Sequence, residues 1–147
     1  MKITAIESFC NEFVGFVRDT VEDGSQGWGQ LSTYHSDISA QVLHRQVAPW
    51  ALGHDETDLD NLLDLITERE HKFPGSYLRR AMGGLDTAIW DLRGKQQGKP
   101  VCEILGGTAG PLRAYASSMK RDITPQQEAD RFKKLRDEKG FDDFKMR

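Results

Sequence analysis

The start of the chain alternates apolar and polar positions in short runs: Ile3-Thr4-Ala5-Ile6, Val14-Gly15-Phe16-Val17-Arg18 and Gly27-Trp28-Gly29-Gln30-Leu31. Such runs predict half-buried strands. Asp23-Gly24 stands between the second and third runs, a pair that tolerates positive φ at both positions and predicts a type I′ hairpin. Three strands in an antiparallel meander follow. From His35 the period lengthens. Ile38, Val42 and Leu43 predict one face of a helix that Pro49-Trp50 and Gly53 interrupt. Leu59, Leu62, Leu63 and Ile66 then fall at i, i+3, i+4 and i+7, the stripe by which a helix buries one side; Pro74-Gly75 ends that segment. Ser76 stands as a cap for a long helix whose apolar positions Leu78, Ala81, Met82, Leu85, Ala88, Ile89 and Leu92 keep one helical register. Gly83-Gly84 inside it cost about 1 kcal/mol each relative to alanine, so they point to a second backbone passing close by, with tolerance at a partly exposed position as the alternative.

Pro100 to Gly107 reads as a short apolar turn stopped by paired glycines, and a boundary fits between Thr108 and Pro111. Beyond it the order is strand, helix, strand over Leu112 to Ser117, Thr124 to Lys139 and Phe141 to Arg147. Thr124-Pro125-Gln126-Gln127 is a capping box with proline at the first helical position, and Gly140 sits where a C′ glycine belongs. A βαβ unit builds parallel sheet. Two domains are therefore expected, residues 1–109 and residues 110–147.

Charge and length narrow the function. Twenty Lys and Arg against 23 Asp and Glu give a net charge of −3 over 147 residues with both signs interspersed, which offers no basic field for nucleic acid. Glu7 interrupts the N-terminal apolar run and no segment approaches the ~18 apolar residues of a membrane span, so no membrane partner and a cytoplasmic location are expected. Cys10 and Cys102 allow one disulfide at most and read as reduced, packed thiols. His44, His54 and His71 have no second ligand at metal spacing. Asp86 and Asp91, five residues apart on the long helix, point in different directions and read as holding helix ends and neighbouring loops.

The stretch Ala81-Met82-Gly83-Gly84-Leu85-Asp86-Thr87-Ala88-Ile89-Trp90-Asp91-Leu92-Arg93-Gly94-Lys95, with Gly98-Lys99-Pro100-Val101 and Leu105-Gly106-Gly107, resembles the signature of the mandelate racemase and muconate lactonizing group of the enolase superfamily. Val17-Arg18 through Asp23-Gly24 to Gly27-Trp28-Gly29 resembles that family's second and third capping-domain strands, and Met1 to Ile6 its first. Gln30 stands where many relatives carry Glu, Ile89 and Ile104 replace a commoner Leu, and the loop from Cys10 to Phe13 is very short. The resemblance implies an α+β capping domain, a three-stranded antiparallel meander followed by helices, and then the first β-α-β of a truncated TIM-type barrel, since a full barrel takes ~250 residues.

The same resemblance implies the chemistry. Family members abstract a proton α to a carboxylate and stabilise the ene-diolate with Mg²⁺. The chain is therefore expected to be the N-terminal portion of a Mg²⁺-dependent sugar-acid dehydratase or mandelate-racemase-like enzyme. Its substrate would be a small carboxylate, an acid sugar or hydroxy acid, and the complete protein would be a homo-oligomer. This portion alone would hold no metal and be inactive. Phe141 to Arg147 resembles the second barrel strand, where relatives carry Lys-x-Lys. Lys145 matches the first lysine and implies electrostatic stabilisation; Arg147 stands where the second often acts as base, although a guanidinium stays protonated and is a poor base. Period two places Lys145 and Arg147 on one face and Met146 on the other. Tyr34 and His35, after the third strand, are candidates for substrate contact. The competing reading is a non-catalytic binding or assembly module, or a remnant.

Overall fold

The alternating runs become β1 (Ile3–Cys10), β2 (Val14–Val21) and β3 (Gln26–Thr33) in the computed structural model, which describes residues 1–146. They form one antiparallel sheet in the order β1-β2-β3. The β2–β3 hairpin is not type I′. Of its residues only Gly24 has positive φ (83°), and its N–H donates to the Val21 carbonyl at 2.9 Å. The result is a type I turn closed by a left-handed glycine. Asp23 serves it by accepting a hydrogen bond from the Ser25 N–H (2.9 Å) instead of turning left-handed itself.

Five helices follow in the first part of the chain: α1 (Ser36–Val42), α2 (Ala48–Ala51), α3 (Leu59–Arg69), α4 (Ser76–Gln97) and α5 (Val101–Ile104). A π-helical turn over Leu43–Val47 joins α1 to α2. Pro49 explains it: proline has no N–H to return to the carbonyl four residues back, and the chain widens so that the Ala48 N–H reaches the Leu43 carbonyl. The buried side of α1 differs from the sequence expectation. Ser36, Ser39, Leu43 and Val47 face inward, whereas Ile38 is exposed. The two serines replace bulk with hydrogen bonds, to the carbonyls of Asn11 and His35 respectively, and so let the helix lie close to the sheet.

In α3, Leu59, Leu62 and Ile66 are buried and Leu63 sits at the margin. In α4 all seven expected positions are buried, and each fully buried Leu or Ile contributes roughly 1.5–3 kcal/mol. Its N-cap is Gly75 (φ 148°), not Ser76, because the chain enters the helix through a conformation that favours glycine.

How closely α4 lies on β3 is decided by glycines. A Cβ on Gly27 would sit 2.0 Å from the Ala88 carbonyl oxygen, and one on Gly29 2.1 Å from that of Gly84. From the other side, a Cβ on Gly84 would meet the Leu31 backbone at 3.1 Å, while Gly83 has nothing within 4 Å. One glycine of the pair thus serves close approach and the other is tolerated. Helix side chains also close the edge of the sheet. Asp91 accepts from the Trp28 N–H (2.8 Å), and Lys95, paired to Asp91 at 2.6 Å, donates to the Gln26 carbonyl (3.2 Å). Asp91 therefore caps a strand edge, not a helix end or loop. Asp19 lies on the inward face of β2, fully buried with both carboxylate oxygens lacking a hydrogen-bond partner. Burial pushes its pKa up to about 6, against the opposing pull of its own backbone and that of Gly27.

The chain divides into two compact units, Met1–Ala109 and Gly110–Arg147. The second contains β4 (Tyr115–Ser117), α6 (Pro125–Lys139) and β5 (Asp143–Lys145). The strands are shorter than the expected runs and pair in parallel, Tyr115 with Asp143, Ala116 with Phe144 and Ser117 with Lys145. The capping box at Thr124 forms with both of its hydrogen bonds, and Gly140 ends α6 at φ 72°. Phe132 of α6 stacks on Phe144 at 4.7 Å. Both cysteines are free, but neither is packed: Cys10 and Cys102 are exposed. Among the described residues no helix is long and apolar enough to cross a membrane.

Two outcomes test this account. Gly29→Ala should lower the unfolding free energy by about 3 kcal/mol, because the clash is backbone against backbone, while Gly83→Ala should raise it by about 0.5–1 kcal/mol; urea melts compare the pair. Asp19 binds its proton more tightly folded (about 6) than unfolded (near 3.8). Stability should therefore fall as pH rises from about 4 to 6 and then level off. Asp19→Asn should flatten that slope and add about 1–3 kcal/mol at pH 7.5, read from melts across the pH range.

Candidate functional site

In the first unit the chemistry-bearing loops meet where β3 gives way to α1. Tyr34 (φ 61°) and His35 (φ 48°) are consecutive left-handed residues, and neither is glycine. Such strain costs on the order of 1–3 kcal/mol per residue and persists only where the surroundings impose it. Here the short β1–β2 loop imposes it. The Asn11 carboxamide oxygen accepts from the N–H groups of Phe13 (2.8 Å) and Val14 (2.9 Å), the Phe13 carbonyl accepts from the Tyr34 N–H (3.1 Å), and the Ser36 hydroxyl donates to the Asn11 carbonyl. His35 occupies the N-cap position of α1, yet its side chain caps nothing. It lines an open cleft of about 330 Å³ with Cys10, Asn11, Glu12 and Asp37. Tyr34 is largely exposed. Both side chains sequence reasoning singled out thus stand free on a rigid base. Asn11, which builds that base, was missed; its signal is an asparagine three residues before the return strand, whose side chain can accept from the N–H two residues on as in an Asx turn.

In the second unit the parallel register sorts the side chains. Ala116 and Phe144 face α6, which leaves Tyr115, Ser117, Asp143 and Lys145 on the other face. Lys145 is exposed, and Ser117 lies directly across from it on the neighbouring strand. The Ser118 N–H donates to the Lys145 carbonyl at 2.7 Å, fixing the register at the strands' C-terminal end. Asp143 is taken up by an ion pair with Arg113, so Lys145 keeps its ammonium free of its nearest same-face carboxylate. Ser117 was not singled out from the sequence: alternation through Tyr115-Ala116-Ser117 gives its face, but its pairing with Lys145 is set by the register between the two strands. On the helix side of the pair, Ser118, Thr124, Glu128, Phe132 and Met146 line a separate cavity of about 350 Å³. There Arg131 grips both oxygens of Glu128 (2.8 and 2.9 Å) and holds its carboxyl down to about 2. Met146 on that side agrees with the alternation expected of the strand. The expectation for Arg147 lies outside the described residues.

An ammonium beside a hydroxyl can bind a carboxylate and stabilise negative charge that grows on it. A divalent cation is a different matter: among the described residues no three His, Cys, Asp or Glu side chains converge, so they do not fit a metal centre.

Comparison with known proteins places these features in context. The family model described as the mandelate racemase / muconate lactonizing enzyme N-terminal domain matches residues 2–106. A D-galactonate dehydratase family member of Paenibacillus sp. (strain JDR-2) is 31% identical over 111 residues, 74% of this chain and 27% of that protein. The crystal structure of a candidate racemase from Roseobacter denitrificans matches with a TM-score of 0.94 and 74% identity, over 98% of this chain and 39% of that one. A mandelate racemase/muconate lactonizing protein from Paracoccus denitrificans PD1222, complexed with magnesium, matches with a TM-score of 0.88 and 28% identity, over 99% of this chain and 41% of that one. The chain spans between about a quarter and two fifths of the length of these relatives.

The strain at the β3–α1 junction has a measurable consequence. His35→Gly should leave stability unchanged or raise it by up to about 1 kcal/mol, since glycine accepts this backbone without cost. Asn11→Ala should lower it by about 1–2 kcal/mol by undoing the turn that holds the loop; thermal melts of the two variants separate imposed strain from ordinary packing.

Proposed function

This chain belongs to the mandelate racemase / muconate lactonizing enzyme family, and from that premise we propose that it forms the N-terminal portion of an enzyme removing a proton α to a carboxylate. The observation that carries the reading is the pairing of Lys145 with Ser117 at the C-terminal ends of two parallel strands, the end at which (β/α) barrels build their active sites. Residues 110–147 are accordingly the start of the barrel, and residues 1–109 its capping domain. A substrate carboxylate meets two donors there. As the α-proton leaves, charge moves onto the carboxylate oxygens, and the Lys145 ammonium and Ser117 hydroxyl gain strength as partners at that moment, which is what lowers the barrier.

The substrate class is an acid sugar or a related hydroxy acid, supported by the dehydratase name of the Paenibacillus relative and the racemase name of the Roseobacter one. Tyr34 and His35 contact the substrate through their exposed side chains. Arg147 contributes a hydrogen-bond donor and not the base, because a guanidinium does not release its proton near neutrality. Magnesium, present in the Paracoccus relative, serves the complete enzyme through ligands outside the described residues. Residues 1–147 alone, with no such ligand set among the described residues, turn nothing over, and the complete enzyme acts as a homo-oligomer in the cytoplasm.

The test is loss of the α-proton to deuterium oxide, followed by NMR, for a panel of acid sugars and hydroxy acids with the full-length protein. Lys145→Ala should lower kcat/KM by about 10²–10³, Ser117→Ala by about tenfold, and neither should move the thermal midpoint. Residues 1–147 expressed alone should give no exchange. Full activity in Lys145→Ala would sink the reading.

A further inference from the structure

Glu128 is a buried carboxylate that the proposed chemistry does not use. It stands in the first turn of α6, where an acidic side chain favours the helix dipole and an arginine three residues on can pair with it. Neither role requires burial. Glu138, paired to Lys134 on the same helix, keeps 57% of its side chain exposed, whereas Glu128 keeps 12%. Taking a carboxylate out of water is costly unless hydrogen bonds replace the water it loses, so the groups around Glu128 indicate what it holds in place.

Arg131 supplies two of those bonds, at 2.8 and 2.9 Å, from within the helix. The rest of its support comes from the connection between β4 and α6. The Ser118 hydroxyl has the Glu128 carboxylate and the Lys120 carbonyl (3.2 Å) as its acceptors, and the Lys120 charge favours the ionised carboxylate further. Ser118 is itself 2% exposed, and its N–H donates to the Lys145 carbonyl at 2.7 Å. A continuous set of contacts thus runs from Arg131 through Glu128 and Ser118 to the main chain of Lys145. Its endpoint matters because β4 and β5 are three residues each. So short a ladder has few bonds of its own to fix register, and a slip of one residue would turn Ser117 toward the face packed on α6. Whatever anchors Ser118 anchors Ser117 beside it.

We propose that Glu128 is a positioning residue for Ser117: gripped by Arg131 on α6, it pins Ser118 and so sets the Ser117 hydroxyl against Lys145, a role that rests on the reading of that pair as the carboxylate-binding group. Glu128 needs no contact with substrate for this, and all of the contacts involved lie within residues 118–145.

A double-mutant cycle in the full-length protein tests it, read as α-proton exchange with the fastest-exchanging acid of the panel. Glu128→Ala should lower kcat/KM about fivefold, approaching the loss in Ser117→Ala, because a displaced donor gives up most of its effect on the transition state. In the Ser117→Ala background the same substitution should cost less than about twofold, since the group it positions is gone. Glu128→Gln keeps an oxygen for Ser118 and should return kcat/KM to within about twofold of wild type. Circular dichroism checks that the variants fold; should Glu128→Ala not fold, Arg131→Ala takes its place in the cycle with the same pattern expected. An equal loss in both backgrounds would mean a merely structural carboxylate and would overturn the proposal, as would an unchanged kcat/KM in Glu128→Ala. The two readings separate at Ser117 and Lys145. Full activity in Ser117→Ala and Lys145→Ala removes the donor pair and the positioning role together, whereas the expected losses there beside an unchanged Glu128→Ala remove the positioning role alone.

Discussion

The contact on which the first unit depends is the approach of the α4 backbone to β3. Alternation in β3 puts Gly27 and Gly29 on the side facing α4, where any larger residue would strike the carbonyls of Ala88 and Gly84. Because no side chain stands between them, helix and strand meet almost main chain to main chain, and the apolar register of α4 reaches Val17, Val21 and Leu31 on the sheet. The same closeness lets Asp91 and Lys95 take over the edge of β3, supplying an acceptor for one backbone N–H and a donor for one carbonyl that would otherwise invite another strand. Residues that look like chemistry in the sequence, an aspartate and a lysine one turn apart, are here parts of a latch.

That latch fixes the end of β3, and with it the place where Tyr34 and His35 emerge. Arg80 of α4 reaches the Ser32 hydroxyl at 3.2 Å, and Ser32 in turn lies against the carbonyls of Thr33 and Tyr34. The left-handed pair is therefore held from the helix side as well as by the Asn11 loop. A flexible loop would relax such strain. Retaining it keeps two exposed side chains on a backbone with little freedom, which is the condition for a ligand contact that loses little entropy on binding.

Much of this architecture could be read from periodicity. The seven apolar positions of α4, the capping box at Thr124 and the strand-helix-strand order after Gly110 depend on local rules, and they hold. Where reading failed, a non-local contact had overridden a local preference. Ile38 looked like a core position, but the helix turns its serines inward, where the Ser36 hydroxyl finds the Asn11 carbonyl of a neighbouring loop and the Ser39 hydroxyl the His35 carbonyl one turn back. Asp23-Gly24 has the composition of a type I′ turn, but a four-residue connection selected a type I turn with one left-handed residue. The cysteines looked packed by their chemistry and are exposed by their position. Of the candidate site residues, Lys145 could be placed by alternation, whereas Ser117 required the register between two strands separated by a whole helix.

That register shows why two parallel strands suffice to begin an anion site and not to finish one. In a parallel pair, residues directly opposite share a face, so the side that does not pack on α6 gathers polar groups from both strands at the same height. Phe144 and Phe132 occupy the packed side and hold α6 in place. With Asp143 committed to Arg113, the positive group at the strand end is left for an incoming anion. Stabilising charge needs only these donors, and they are present. Taking up the α-proton needs an acceptor whose pKa lies near the working pH, and a pair of groups placed to donate hydrogen bonds to an anion does not supply one. On the proposed reading, β4 and β5 would supply the charge-stabilising half of the reaction, and the proton acceptor would come from outside this pair of strands.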